Sequence, residues 1–137
     1  ASDVYKRQQY PSRATWSNIN RPAMRTLVEI YSDPQLLTKV EEERDFYYQM
    51  IKTRADRFVA EAKACGLPMI PYMAGFFLSV PCKNSAAVCD LLHEDHIYLV
   101  PLAAGVRVAL CSIPLTKIDG IATKLNEALK KVEKASE

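Results

Sequence analysis

The residues whose types and spacing could do chemistry lie in Gly105-Val106-Arg107-Val108-Ala109-Leu110-Cys111-Ser112-Ile113-Pro114. The stretch reads as a short strand, with a turn-forming Gly before it and a Pro after it. Strand side chains alternate between faces, which puts Val106, Val108 and Leu110 on one side and Arg107, Ala109 and Cys111 on the other. The first side is core. On the second, one Arg stands between small neighbours, leaving room for something flat and anionic. A guanidinium can grip a carboxylate through two parallel hydrogen bonds, which Lys cannot imitate. The strand by itself is also compatible with an edge arginine that is solvated or paired with an acidic side chain.

Other chemistry-bearing residues are more scattered. Arg13-Ala14-Thr15-Trp16-Ser17-Asn18 is short, polar and aromatic. Pro11 before it and Asn20-Arg21-Pro22 after it predict a loop that enters a helix at about Pro22. Such a loop can line a polar pocket, or simply cover the surface with one half-buried Trp. His93 and His96 invite a metal reading, but His93 is expected to end a helix and His96 to precede a strand. No third ligand stands at motif spacing, so no metal site is expected, and His93 is assigned to the helix C-terminal carbonyls. Cys65, Cys82, Cys89 and Cys111 form no CxxC pair and read as small buried hydrophobes in a reducing cytoplasm.

Composition narrows the class. The chain has 137 residues, 49% apolar and 25% charged, with a net charge of +2, which is ordinary globular composition with one core. That charge gives no basic excess to argue for nucleic acid or an anionic membrane. No apolar run approaches a membrane span and no signal peptide opens the chain. Residues 1–8 show no apolar periodicity or capping logic, and Asp3-Val4-Tyr5-Lys6-Arg7-Gln8 resembles the translation of a transposon end used to fragment DNA. They are read as a sequencing or cloning artefact, which implies that the natural protein extends further towards its N-terminus.

Several elements must position these residues. Arg21–Tyr31 is predicted as a short helix. A second begins at Ser32-Asp33-Pro34-Gln35, capped by Ser32 with Gln35 three residues on. Its apolar stripe runs through Leu36, Leu37, Val40, Tyr47, Ile51, Ala55, Phe58, Val59 and Ala62 until Gly66 and Pro68 stop it. Glu41–Asp45 reads as its solvated face, and Phe46, Tyr47 and Tyr48 as helix packing. Met69–Tyr72 and Gly75–Val80 read as strands, the second alternating Phe76, Leu78 and Val80 with Phe77 and Ser79. A helix over Ser85–Leu92, a strand over Ile97–Val100 and a closing helix over about Leu115–Val132 complete the chain. The sum is an α+β unit, a small, mostly antiparallel sheet packed with helices.

Three segments in this order carry a resemblance. Arg13–Asn18 is similar to the Arg-x-x-(aromatic)-Ser-Asn segment of class I aminotransferases, the pyridoxal-phosphate enzymes of the aspartate and aromatic amino-acid group. Gly75-Phe76-Phe77 resembles the family's Gly-x-Phe, and Gly105-Val106-Arg107 its near-terminal Gly-x-Arg strand. The resemblance covers about residues 9–135. It implies the small C-terminal domain of a fold type I enzyme over 32–137, with a long bridging helix, after a remnant of the large cofactor domain over 9–31.

By the same resemblance, Arg107 binds the substrate α-carboxylate and Phe77 borders the substrate. Arg13 crosses a homodimer interface to hold a distal carboxylate, with Trp16 beside it. Ser17 and Asn18 help build the shared pocket on the cofactor side. Val106 between Gly and Arg, and Ala109 at a commonly polar position, depart from the aspartate-type pattern and leave the choice among aspartate, aromatic and broad substrates open. The implied reaction moves an amino group between an amino acid and a 2-oxo acid such as 2-oxoglutarate. None of Lys39, Lys52, Lys63, Lys83 or Lys117 stands in the family's Ser-x-x-Lys context, so this portion alone is expected to be inactive. The rival readings are a free-standing module that binds a small carboxylate without catalysis, and a pyridoxal-phosphate lyase on the same fold.

Overall fold

The computed structural model describes residues 2–16 and 20–135, without the side chains of Ser2 and Trp16. By contact the chain divides into two compact units, Ala1–Asp45 and Phe46–Glu137.

The first unit is helical. Helix α1 (Ser2–Trp16) forms where the sequence suggested no regular structure before residue 9 and a loop after Pro11. Long-chain residues such as Lys6, Arg7, Gln8 and Gln9 are good helix formers, and Gln9 Nε2 donates to Tyr5 Oη at 2.7 Å one turn back. Helix α2 (Arg21–Ser32) starts as predicted: Asn20 Oδ1 accepts the Ala23 N–H, and Pro22 stands in the first turn. Helix α3 (Pro34–Cys65) is capped by Asp33 and not by Ser32, because Ser32 is the last residue of α2. Asp33 Oδ1 accepts from the N–H groups of Gln35 and Leu36 at 2.9 and 3.2 Å.

At 32 residues α3 is about 48 Å long, and the boundary between the units falls within it. Its predicted stripe has two fates. Ala55, Phe58 and Ala62 are fully buried, whereas Leu36 and Tyr47 are exposed, as are Phe46 and Tyr48 beside the stripe. The packing expected of those aromatics is therefore not what the structure has. The helix ends where Leu67 N–H reaches back to Ala62 O at 2.9 Å and Gly66 N–H to Lys63 O at 3.3 Å.

The second unit holds the sheet. Strands β1 (Phe77–Pro81), β2 (Val100–Leu102) and β3 (Gly105–Ala109) are antiparallel in the order β1-β3-β2, which makes β3 central. Met69–Tyr72 is not a strand. Its one ladder-like bond is Ile70 N–H to Ser79 O at 3.0 Å, and Pro68 and Pro71 on either side have no N–H to give. The Ile97 strand likewise shifts to Val100–Leu102, after a turn in which His96 takes φ 58. Helix α4 (Ser85–His93) lies between β1 and β2 in the chain, with Asn84 Oδ1 accepting the Ala87 N–H.

Register explains why prolines are tolerated in these strands. Ser79 gives its carbonyl to Ile70, away from β3, so the facing Ser79–Arg107 pair is a non-hydrogen-bonded one. Alternation then makes Pro81–Gly105 non-hydrogen-bonded too. On the other side Leu102–Gly105 closes the Ala103-Ala104 turn, which leaves Pro101 opposite Val106 at a position that needs no N–H. Gly105 is required for a different reason. A Cβ there would collide with the Val80 carbonyl oxygen.

The predicted closing helix is interrupted. A 3₁₀ turn (Leu115–Lys117) precedes Gly120 at φ 91, and α5 runs over Ile121–Ala135. The break exposes helix N-terminal donors that Glu61 of α3 satisfies: its carboxylate accepts from Gly120 N, Thr123 N and Thr123 Oγ1 at 2.8, 2.8 and 2.6 Å. Leu78, Val80, Val106, Val108 and Leu110 join Phe58, Leu92, Leu125 and their helix neighbours in one buried cluster. The unit is thus α+β with a small antiparallel sheet, as the sequence predicts. Among the described residues no helix is long and apolar enough to cross a membrane.

Candidate functional site

Strand alternation leaves the other face of the sheet open. Phe77, Ser79 and Pro81 of β1, Gly105, Arg107 and Ala109 of β3, and Val100 and Leu102 of β2 share it by register. Arg107 occupies the middle of the central strand, with Ser79 opposite on one side and Val100 on the other. Its inner neighbours Val106 and Val108 are fully buried, which anchors the strand from behind.

The arginine is half-buried, and its guanidinium carbon lies 4.6 Å from the centroid of the Phe77 ring. A cation over an aromatic face is attracted by the ring quadrupole, by about 0.5–1 kcal/mol where water has access. Phe77 is itself 48% exposed, so the ring covers the guanidinium from one side and meets solvent on the other. Arg107 Nε is sealed from solvent without a hydrogen-bond partner among the described residues. An unmet buried donor normally costs about 1–3 kcal/mol, so the outer guanidinium nitrogens are the ones left to meet a ligand. Sequence reasoning thus placed Arg107 and Phe77 separately, and the structure brings them into contact. It did not find Ser79 as the cross-strand neighbour, because which residue faces Arg107 depends on strand register.

Arg13 is exposed in the last turn of α1, which is helical where a loop was expected. Trp16 closes that helix, and its side chain is not among those described. Ser17 and Asn18 lie outside the described residues.

Other titratable groups do not converge on Arg107. His93 ends α4 with Nδ1 3.8 Å from Asp90 Oδ1 and its ring 5.2 Å from that of Tyr98, so it meets these side chains in place of the helix carbonyls expected. Among the described residues no three His, Cys, Asp or Glu side chains are grouped to hold a metal ion. Cys82, Cys89, Cys65 and Cys111 are all free thiols, and Cys111 is exposed, unlike the buried residue its composition suggested. Burial pushes the Cys82 thiol up, with Glu133 adding to the effect, and pushes Cys89 up as well. A cleft of about 850 Å³, lined by Cys82, Lys83, Asn84, Leu129 and Glu133 among others, does not include Arg107 or Phe77.

Comparison with known proteins shows the family of the chain. Residues 3–125 match the family described as aminotransferase class I and II. An aminotransferase from Anaerococcus prevotii superposes with a TM-score of 0.85 at 29% identity, over 94% of this chain and 32% of its own. The chain therefore spans about a third of the length of that solved structure. An aromatic aminotransferase from Pyrococcus horikoshii aligns at 23% identity over 75% of this chain and 28% of its own, with a TM-score of 0.42.

Proposed function

The chain belongs to the class I and II aminotransferase family, and from that premise we propose that it is the C-terminal portion of an enzyme moving an amino group between an amino acid and a 2-oxo acid such as 2-oxoglutarate. The observation that carries this reading is Arg107. It is a half-buried guanidinium on the central strand of the sheet, with its carbon 4.6 Å from the centroid of the Phe77 ring. A carboxylate is the one group that every amino acid and every 2-oxo acid bring, and the arginine fork is shaped for it.

The remaining assignments follow from the resemblance. Residues 9–31 are the end of a large cofactor domain and 32–137 the small domain of a fold type I enzyme. The apolar face of α2, of which no residue is buried, supports the presence of further polypeptide over it. Arg13, from the second subunit of a homodimer, holds a distal carboxylate and sets a preference among aspartate, aromatic and broader substrates, with Trp16 alongside. The four free thiols suit a reducing cytoplasm.

The cofactor this family implies is pyridoxal phosphate, which when bound supplies an electron sink for charge released at the substrate. Ser17 and Asn18 are the residues proposed to contact it. Arg107 is the residue proposed to hold the substrate carboxylate. What the chain itself contributes is orientation. Arg107 fixes one end of the substrate, Phe77 restrains the guanidinium plane, and the sheet holds both against the buried core.

Recovering the DNA upstream of codon 9 tests the proposal. The expected result is one open frame that continues upstream through a Ser-x-x-Lys segment. A stop codon followed by a genuine start at that point would overturn it and leave a small carboxylate-binding module.

A further inference from the structure

We infer that Ser79 is a second ligand of the carboxylate that Arg107 holds, its hydroxyl donating to the oxygen atoms that the guanidinium grips. The inference rests on the reading of Arg107 given above and names a residue to which that reading assigns no role.

Strand geometry carries it. Ser79 faces Arg107 directly across β1 and β3, and its carbonyl is taken by Ile70 on the far side. Residues so paired have Cα atoms about 4.5 Å apart and side chains closer than in the alternate pairs of the ladder. Both side chains rise from the same open face, since their neighbours Leu78, Val80, Val106 and Val108 are buried on the other. Among the side chains that share this face, Phe77, Pro81, Val100, Leu102 and Ala109 have no hydrogen-bond donor, so beside the guanidinium Ser79 is the one that has.

Chemistry makes the pairing useful. Arg107 Nε is sealed, which leaves the outer pair of guanidinium nitrogens as the accessible fork. A carboxylate offers about four lone-pair sites, and a fork uses two of them. A hydroxyl beside it can take a third without further charge. A short donor to an anionic oxygen is roughly twice as strong as a neutral hydrogen bond, and Ser loses little rotamer freedom on binding. Ser79 would therefore tighten carboxylates while adding no net attraction for other anions at a distance.

The test uses this chain, with pyruvate as the probe, at constant ionic strength. The Arg107 Nε–H resonance and the backbone amides are followed by NMR in wild type, Ser79→Ala, Ser79→Thr and Arg107→Gln. The expected result is a pyruvate-dependent shift at Arg107 in the first three, an apparent Kd about tenfold weaker in Ser79→Ala, and a value within about twofold of wild type in Ser79→Thr, which keeps the hydroxyl on a strand-favouring residue. Unchanged affinity in Ser79→Ala with the Arg107 shift intact would overturn the role of Ser79 and leave Arg107 standing. Equal weakening in Ser79→Thr would also overturn it, as a steric effect. No shift at Arg107 in wild type, or undiminished binding by Arg107→Gln, would remove the reading of Arg107 and the inference with it.

Discussion

Helices α2 and α5 are equally amphipathic in sequence and opposite in fate. Helix α5 buries Ile121, Ala122, Leu125, Asn126, Ala128 and Leu129, while α2 buries none of its residues and leaves Met24, Leu27, Val28 and Tyr31 half or more exposed. The same contrast runs along α3, exposed at Leu36 and Tyr47 and sealed at Ala55, Phe58 and Ala62. An apolar stripe announces that a helix needs a partner; it does not say that the partner lies in the same stretch of chain. In Phe46–Glu137 the partner is the sheet and its neighbouring helices. In Ala1–Asp45 Met24, Leu27, Val28, Tyr31 and Leu36 remain exposed, which is what the proposed missing domain would explain.

The largest effect that could break this contrast is a pair of truncations. Phe58→Ala removes a fully buried ring and is expected to cost about 3–5 kcal/mol in urea unfolding. Leu27→Ala, at 57% exposure, should stay within about 0.5 kcal/mol. Similar losses at both sites would mean that α2 is packed after all. Gly105→Ala comes next, with an expected loss of about 3 kcal/mol, because backbone atoms of Val80 and Pro81 occupy the space its Cβ needs. An Ala variant with wild-type stability and an unchanged Arg107 environment by NMR would show that β1 and β3 can separate without harm.

Much of this architecture is legible in the amino-acid sequence, and the misses share a cause. Alternation alone puts Val106 and Val108 inside and Arg107 outside, because a strand with one buried face has no other option. The capping of α2 by Asn20 and the stop after Cys65 also follow from local chemistry. Local signals fail where a distant residue decides. The closing helix breaks at Gly120 because Glu61, on α3, satisfies the donors that the break exposes. Met69–Tyr72 has strand composition, yet Pro68 and Pro71 flank Ile70 and leave it a single bond to the edge of β1. Ser79 can be read on its strand but not as the neighbour of Arg107, since register is a property of two strands together.

Glu61 offers the next test in size. Glu61→Ala should destabilise Phe46–Glu137 by about 1–2 kcal/mol by leaving the Gly120 and Thr123 amides without an acceptor. Glu61→Gln, which keeps one carbonyl oxygen, should lose less. If the two variants lose the same, the second oxygen carries the cap, and amide exchange at Gly120 and Thr123 would locate it.

The smallest effect is alkaline and belongs to one unit alone, because all four thiols lie in Phe46–Glu137. Cys89 is buried, and burial raises its pKa first, with lesser contributions from Cys82 and Asp90; Cys82 is raised by burial and then by Glu133. A raised folded value means that the protonated thiol is favoured in the native state. Its contribution to stability is fully present below the ordinary thiol range and is lost as the pH rises through the folded value, since the unfolded chain ionises first. The urea midpoint of Phe46–Glu137 should therefore fall between neutral pH and about pH 10, and fall less in Cys89→Ala. Cys111, exposed, should be alkylated by iodoacetamide in the native state, and Cys89 only as that unit opens. Equal labelling of the two at neutral pH would show that the sheet and its helices seal Cys89 no better than solvent seals the apolar face of α2.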